Sequence, residues 1–273
     1  EGSLLASKTP QSRDLLGINV DGSVSFVLRP EFAGLLFFLS LGQEGAVTTS
    51  GGKHKHTFTL AGASQDLPSA TIVVDRKVSV KKYAGVTIST LTLECPAGDY
   101  VKGSFDLKGV KEEAGSLNPS LTGFTIPSYR CTSATFKVGG AVLDISSSTL
   151  KIENALEDAP KTYSSGLYKG QPIHGRRNVT LDFDIPYSDD IETFKSTYLP
   201  TENLASIELT FCSSNEAYTV KVVIPNLSIM NLEANVGDTG LLTASGNGEA
   251  LSVGSTEPIT IEVIDDEEQK YGD

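Results

Sequence analysis

A length of 273 residues allows one large all-β domain or two smaller domains, and either size buries a sizeable core. The composition, 39% hydrophobic and 21% charged, excludes a chain that is disordered throughout. The formal net charge of −12 disfavours nucleic-acid binding, because clusters of Lys and Arg bind phosphate groups. The longest apolar run, Phe32–Leu41, is too short to span a bilayer, so no membrane contact is expected.

Runs of alternating Thr, Val, Ile and Phe, separated by Gly, Pro, Asn and Asp, predict a chain made mainly of β-strands. In chain order the predicted strands are Ser23–Leu28, His56–Leu60, Ala70–Asp75, Gly85–Cys95, Lys102–Lys108, Ala134–Val138, Val142–Glu153, Arg177–Ile185, Ser206–Phe211, Tyr218–Ile224 and Ile259–Ile264. A chain with so many short strands belongs to the mainly-β class.

Two segments predict helices, and each follows directly after a strand. The first, Pro30–Leu41, has Pro at its first position and Gly42 just past its end, which are helix start and stop signals. The second runs from Ser188, a candidate N-cap, to about Tyr198, and Pro200 stops it. Both are interpreted as apolar on one face, which suits packing on a sheet.

Short sequence matches indicate an internal duplication of the strand–helix unit. The matched pairs are "SVSFVL" (23–28) with "NVTLDF" (178–183), "SATIVV" (69–74) with "SATFKV" (133–138), "TLTLE" (90–94) with "TLKIE" (149–153), and "SFDL" (104–107) with "TLDF" (180–183). They define repeat units of about 1–60, 69–108 and 131–224 within a domain of residues 1–255. Because the first unit lacks its front strands, we expect roughly two more strands upstream of Glu1.

Two predicted strands, Gly85–Cys95 and Val142–Glu153, change their apolar phase within a stretch of Ser and Thr. The changes fall at Ser89–Thr90 and at Ser146–Thr149. A change of phase by one residue is typical of a β-bulge, which bends a strand where a sheet curls. Both segments are therefore predicted to be long curved strands in the wall of a barrel.

Motifs of enzymatic chemistry are missing from the sequence, since there is no GxSxG, P-loop, HExxH, or GxGxxG after a strand. We therefore expect no enzyme and no cofactor. His54 and His56 could hold a metal from one side of a strand, but an exposed loop end is the preferred interpretation. The widely spaced Cys95, Cys131 and Cys212 predict free, buried thiols rather than disulfides.

The C-terminal residues 256–273 form a separate acidic segment in the sequence. Asp and Glu greatly outnumber the single Lys270 there. The ending "DDEEQKYGD" (265–273) is predicted to be a solvated tail rather than part of the core.

Three longer stretches resemble the tail tube proteins of long-tailed bacteriophages. They are "VDGSVSFVLRPEFAGLLFFLSLG" (20–42), "SATFKVGGAVLDISSSTLKIENALE" (133–157) and "VVIPNLSIMNLEANVGDTGLLTASGNGEA" (222–250). The resemblance implies a tail-tube-like β-barrel or sandwich with two short flanking helices. It also implies a structural virion protein, assembled in the host cytoplasm, that binds itself and other tail proteins. Its subunits would form stacked hexameric rings, and DNA would pass through their lumen without specific binding.

Strand alternation then suggests which side chains line that lumen. Acidic residues fall opposite the apolar positions of the long strands, and this face becomes the lumen if the apolar face packs on the helices. The predicted lumen-lining residues are Glu94, Asp106, Glu153, Asp182 and Asp184. Lys151 shares their face, so the lining would be mixed in charge. The alternative is that these carboxylates merely solvate an outer surface.

Two candidate arms lie outside the duplicated strands: the loop Lys161–Gly175, with the residues just after it, and the tail from Thr256. At least one of them is predicted to contact a neighbouring subunit or the next ring, because long loops in compact domains are usually functional. The residues expected to make this contact are Tyr163, Tyr168, Lys169, Arg176 and Arg177. A different class of function, a β-sandwich adhesin or carbohydrate-binding module, stays open. The absence of Trp and an aromatic content of 7% count against a sugar-binding platform.

Overall fold

The computed structural model describes residues 17–62, 64–117, 123–163, 166–186, 189–199, 203–214, 216–236 and 242–272. In chain order these residues form β1 (Val20–Val27), α1 (Pro30–Leu41), β2 (Gly42–Glu44), β3 (Thr48–Ser50), β4 (Lys53–Leu60), β5 (Ala70–Asp75), β6 (Val80–Pro96), β7 (Lys102–Gly109), β8 (Lys111–Ala114), β9 (Arg130–Val138), β10 (Ala141–Val142), β11 (Ser147–Glu153), β12 (Leu156–Glu157), β13 (Ile173–His174), β14 (Asn178–Pro186), α2 (Asp189–Tyr198), β15 (Ala205–Cys212), β16 (Thr219–Val236), β17 (Leu242–Ala250) and β18 (Thr260–Asp265). The fold is mainly β, as the sequence predicts.

The strands form two layers that share the long strand β16. The first layer has the order β1-β7-β6-β11-β14-β17-β16, and all neighbouring pairs in it are antiparallel. The second has the order β10-β9-β15-β16-β18-β4, with β2 and β3 also paired to β4. The arrangement resembles a β-sandwich, and the described strands do not close into a barrel.

The strand β16 joins the layers because its two halves pair with different strands. Thr219–Leu227 pairs with β15, and part of this stretch also pairs with β18. Leu227–Val236 pairs instead with β17. Aromatic rings fill the space between the layers, where Phe136 of β9 lies 5.6 Å from Phe183 of β14 between ring centroids. Interlayer contacts of this kind belong to one core of buried apolar side chains that both layers share.

Helix α1 begins and ends where the sequence predicts, and it is buried more completely than expected. Gly42 at its C-cap has a φ of 90°, a left-handed conformation that glycine adopts without strain. Phe37 is fully buried and its ring centroid lies 6.5 Å from that of Phe58 in β4. Partly buried side chains also pack on the core from other sides of the helix, including Phe32, Phe38 and Leu39. The prediction of a single apolar face is therefore wrong for α1.

Helix α2 covers the end of β14. Its buried side chains Ile191 and Phe194 face the core, and the ring centroid of Phe194 lies 6.2 Å from that of Phe183. The predicted N-cap, Ser188, lies outside the described residues. Each helix therefore follows a first-layer strand, as the predicted strand–helix duplication requires.

The two predicted phase changes have different structural origins. In β6 the pairing with β7 skips one residue between Ile88 and Thr90, which confirms the predicted bulge. The predicted strand Val142–Glu153 does not exist as one element. Its start is β10, which pairs with β9, and its end is β11, which pairs with β6 and β14. The second change of phase therefore marks the place where the chain crosses from one layer to the other, and it is not a bulge.

The predicted solvated tail is partly a core element. Strand β18 lies between β16 and β4, and its last residue, Asp265, is 3% exposed. Beyond it, Tyr271 packs on Phe58, with 6.1 Å between ring centroids. Gly34 of α1 makes room for this ring, because a Cβ at Gly34 would lie 2.3 Å from it. Because residues 265–273 are mostly charged or polar, the sequence did not indicate that Asp265 and Tyr271 anchor them to the core.

The cysteines are free, as predicted. Cys95 of β6 and Cys131 of β9 are buried, whereas Cys212 is only partly buried. A hydrogen bond with Cys131 and burial both raise the pKa of Cys95. Burial likewise raises the pKa of Cys212, so these thiols are poor nucleophiles.

Candidate functional site

The first layer has one face toward the core and a second face, the polar face, directed away from it. Alternation along each strand separates the two sets of side chains. In β14, Asp182 and Asp184 on the polar face alternate with buried Val179, Leu181, Phe183 and Ile185. In β11, Lys151 and Glu153 alternate in the same way with buried Ser148, Leu150 and Ile152.

The structure brings all five predicted carboxylates together on the polar face of the neighbouring strands β7, β6, β11 and β14: Glu94, Asp106, Glu153, Asp182 and Asp184. Asp106 and Glu153 flank the same residue of β6, Thr90. Glu94 and Asp182 likewise flank one residue of β11. The hairpin of β6 and β7 and the later strands β11 and β14 thus contribute to one acidic surface.

Most other side chains on the polar face carry hydroxyl or amide groups. Those that lie in the cross-strand rows of this face include Ser23, Ser25, Thr92, Ser104, Ser147, Thr149, Thr180, Ser245 and Asn247. The lysines of this face are ion-paired, with N–O distances of 2.5 Å for Lys151–Glu153, 2.5 Å for Lys102–Asp99 and 3.2 Å for Lys108–Asp158. The exposed carboxylates Glu94, Asp106 and Asp182 therefore leave the face acidic.

Asp184 differs from the other four carboxylates because neighbouring strands hold it. The hydroxyl groups of Ser147 in β11 and Ser245 in β17 each donate a hydrogen bond of 2.7 Å to its carboxylate. Beside it is a shallow, open concavity of about 290 Å³, which Asp182 and Glu233 also line. Asp184 thus ties three strands together as well as adding charge to the face.

The predicted contact loop is only partly free to reach another subunit. Tyr163 is fully exposed and Arg176 is exposed. Lys169 lies 2.5 Å from Asp158 of its own subunit, and the Tyr168 hydroxyl lies 3.5 Å from the Glu112 carbonyl oxygen of β8. These internal contacts hold part of the loop against its own subunit, at β8 and at the residue that follows β12.

Arg177 is directed into its own subunit. It donates a 3.1 Å hydrogen bond from Nη1 to the carbonyl of Leu41, at the C-terminal end of α1. Its Nε and Nη2 atoms are buried without a hydrogen-bond partner among the described residues, and burial lowers the pKa of the guanidinium. A cation at this position is favourable for the helix dipole. Tyr163 and Arg176 thus remain the accessible members of the predicted set.

A buried polar cluster around His56 was missed at the level of sequence, where this residue was interpreted as part of an exposed loop end. His56 is fully buried, with Nδ1 2.6 Å from the Glu44 carboxylate and Nε2 2.8 Å from the Glu267 carbonyl oxygen. The Asp265 carboxylate lies 3.2 Å from Nε2 and accepts a 2.8 Å hydrogen bond from the Tyr271 hydroxyl. The position of His56 two residues before the apolar Phe58, and so on the same face of β4, was the available signal of burial.

Searches for other kinds of site were negative within the described part of the chain. No group of three or more His, Cys, Asp or Glu side chains there could hold a metal ion. Neither of the helices in these residues has the length and apolar character needed to cross a bilayer. The notable chemical feature of the described residues is therefore the broad acidic surface on the polar face.

Comparison with known proteins agrees with this description. A search of curated protein sequences found no match to the chain. A family model described as phage tail tube protein matches residues 1–263, which is nearly the whole chain. The resemblance drawn from three sequence stretches is thereby confirmed, and the chain belongs to the phage tail tube protein family.

Proposed function

We propose that this chain is the tail tube subunit whose copies assemble into stacked hexameric rings, with the polar face lining the lumen. The observation that carries the proposal is the gathering of Glu94, Asp106, Glu153, Asp182 and Asp184 on one face of the first layer. Membership in the tail tube family supports a structural virion role and association with itself and other tail proteins. Assembly in the host cytoplasm and the absence of catalysis belong to the same proposal.

An acidic lining suits a conduit for DNA, because carboxylates repel phosphates and no shaped binding site is needed. At physiological ionic strength the screening length is about 8 Å, so DNA feels only charges on the wall itself. Hydroxyl and amide groups between the carboxylates keep the wall wetted. The DNA would pass through during ejection without being held.

Electron microscopy tests the assembly directly. We expect the concentrated full chain to form rings or tubes with a central channel in negative stain. Class averages viewed along the axis should show six subunits. Discrete monomers at every protein concentration and ionic strength tested would contradict self-assembly.

The charge of the lumen can be reversed without unfolding the sheet. We expect the Asp106→Lys, Asp182→Lys double variant to form normal tubes but to slow DNA ejection, most strongly at low salt, because lysines attract phosphates. Both residues are exposed, whereas the structurally held Asp184 is left unchanged. Virions carrying the variant would be compared by ejection kinetics at several ionic strengths.

The control is the Glu257→Lys, Glu268→Lys double variant, which changes the net charge equally at exposed residues outside the polar face. It should eject DNA at the wild-type rate. If the two double variants behave alike at every ionic strength, Asp106 and Asp182 do not line the channel.

The loop contact is also part of the proposal, with Tyr163 as its centre. A fully exposed Tyr is a common anchor of protein interfaces. We expect Tyr163→Ala to slow tube elongation about tenfold, as the loss of roughly 1.4 kcal/mol of contact energy would do. Elongation would be followed by light scattering, with unchanged circular dichroism as evidence of folding.

Tyr100→Ala is the matched control, because Tyr100 is an exposed tyrosine outside the loop, at 46% exposure. Its elongation rate should equal that of the wild type. Normal elongation of the Tyr163 variant would exclude Tyr163 from the contact between subunits.

A further inference from the structure

The described structure contains two equivalent series of elements. The first repeat is β1-α1-β5-β6-β7 and the second repeat is β14-α2-β15-β16-β17, since β5 pairs with the first part of β6 as β15 pairs with the first half of β16. In each, a helix starts just after the first strand, and the fourth element is a long strand, of 17 residues in β6 and 18 in β16. The spatial orders β1-β7-β6 and β14-β17-β16 are also the same. The chain has thus duplicated a whole structural unit.

Strand register confirms this equivalence at the level of single residues. The cross-strand row Val27–Lys102–Glu94 corresponds to the row Pro186–Thr243–Asn235. With this alignment the two bulges coincide, because the ladder of β6 and β7 skips Ser89 and the ladder of β16 and β17 skips Met230. The sequence match between β6 and β11 instead relates two antiparallel neighbours, so it is not the repeat that the fold shows.

The repeats differ at one edge. In the second repeat, β14 pairs with β17 on one side and with β11 on the other. In the first repeat, β1 pairs with β7, and no described strand pairs with its other edge. An open edge exposes a row of backbone donors and acceptors that another strand can use. Among the described residues, nothing in the first repeat occupies the structural place that β11 has in the second.

The core-facing side chains of the two strands β14 and β1 also differ in how deeply they are buried. In β14 these are Val179, Leu181, Phe183 and Ile185, all at most 2% exposed. The equivalent residues of β1 are Val20, Gly22, Val24 and Phe26, and none of them is buried. Val24 is 40% exposed, although its equivalent Phe183 lies in the centre of the core. Among the described residues, the apolar side of β1 therefore has no cover like the one over β14.

An apolar groove runs along this uncovered side. It has a volume of about 350 Å³, and its apolar lining includes Val20, Val24, Ile72, Val74, Tyr83 and Leu107. The hairpin of β5 and the first part of β6 forms the opposite wall. A strand added to the edge of β1 would place alternate side chains over the groove and the others on the polar face.

We propose that the free edge of β1 binds an extended segment of the β11 type, running antiparallel to β1. The segment would carry apolar side chains over the groove, as Leu150 and Ile152 lie beside Leu181 and Val179 in the second repeat. Its hydroxyl-bearing residues would extend the polar face. Because β1 and β16 are the first and seventh strands of an antiparallel layer, they run in the same direction. A neighbouring copy could thus offer its β16 edge only in parallel, which makes an inserted antiparallel strand the better match.

A peptide with the sequence of β11 and its flanks, "DISSSTLKIEN" (144–154), is the probe. We expect it to bind the full chain saturably and to slow hydrogen exchange of the amides in Val20–Val27. Val24→Lys should weaken binding at least about tenfold, because an inward-pointing charge opposes strand addition. Val73→Lys is the matched control, since Val73 is also 40% exposed but lies on β5.

Two results would overturn the proposal. One is a peptide that leaves the exchange of β1 unchanged or binds the Val24 variant as well as the wild type. The other is self-association that protects β1 together with the free part of β16, which would identify a second copy as the occupant. The inference does not depend on the lumen proposal, because peptide binding is measured on the single chain and stands even if no tubes form.

Discussion

Replacing His56 with Gln lowers the free energy of unfolding by about 3–5 kcal/mol at neutral pH, because it removes one partner of a buried ion pair. His56 is fully buried and contacts two carboxylates, Glu44 and Asp265, whose side chains are 3% and 5% exposed. Without the imidazolium, these negative charges are left in the core with less compensation. Since the Glu44 carboxylate also accepts a hydrogen bond from the backbone N–H of Tyr271, the C-terminal residues should loosen as well.

The stabilisation by His56 depends on pH, and the groups that contact His56 determine whether it increases or decreases as the pH rises. Burial opposes the charged form of His56, but hydrogen bonds to Glu44 and to the Glu267 carbonyl, and the charge of Asp265, raise its pKa above 6.5 overall. The stabilisation is therefore fully present below about pH 6.5 and is lost as the pH rises through the raised value. Burial also raises the pKa of Asp265, so the contribution of that carboxyl is fully present only below about pH 3.8 and declines as the pH rises from there.

Urea unfolding between pH 5.5 and 9, followed by circular dichroism, checks both statements. The stability difference between the wild type and His56→Gln should be largest at the acidic end and narrow toward pH 9. His54→Gln is the control, because His54 lies on the same strand and outside the cluster. Equal stability of the wild type and the His56 variant at pH 6 would contradict the proposed ion pair.

Replacing Phe183 with Ala lowers the free energy of unfolding by about 3–5 kcal/mol, the usual cost of removing a buried Phe. Phe183 is 2% exposed and lies between Phe136 of the second layer and Phe194 of α2. The fit is close, since a Cβ at Gly246 would lie 2.5 Å from its ring. The substitution would leave a cavity at the point where the Phe183 ring joins β14 to α2 and to the second layer.

Thermal unfolding followed by calorimetry measures this loss. Phe124→Ala is the matched control, because Phe124 is 59% exposed and contacts Phe32 and Arg29 only at the surface. Its cost should stay below about 1 kcal/mol. Similar losses from the two variants would show that Phe183 does not join the layers.

Local patterns in the sequence determined the elements and the faces of the strands. Pro30 and Gly42 delimit α1 because each acts on the backbone within one turn of the helix. Alternation placed Asp106, Asp182 and Glu153 opposite the core before any strand partner was known, because the period of two is a property of the single strand. The acidic face and the tail tube resemblance both follow from such short-range information.

Only the tertiary structure decided which strands are neighbours and which polar groups are buried. Strand β18 inserts between β16 and β4, and the acidic run that follows it gave no sign of that pairing. His56 contacts Glu44 of β2 and Asp265 near the C-terminus, so the charge of this cluster depends on residues that are distant in sequence. The true repeat and the open edge of β1 likewise depend on register between strands. Hydrogen bonding between strands is non-local, and short β sequences resemble one another too closely to specify their partners.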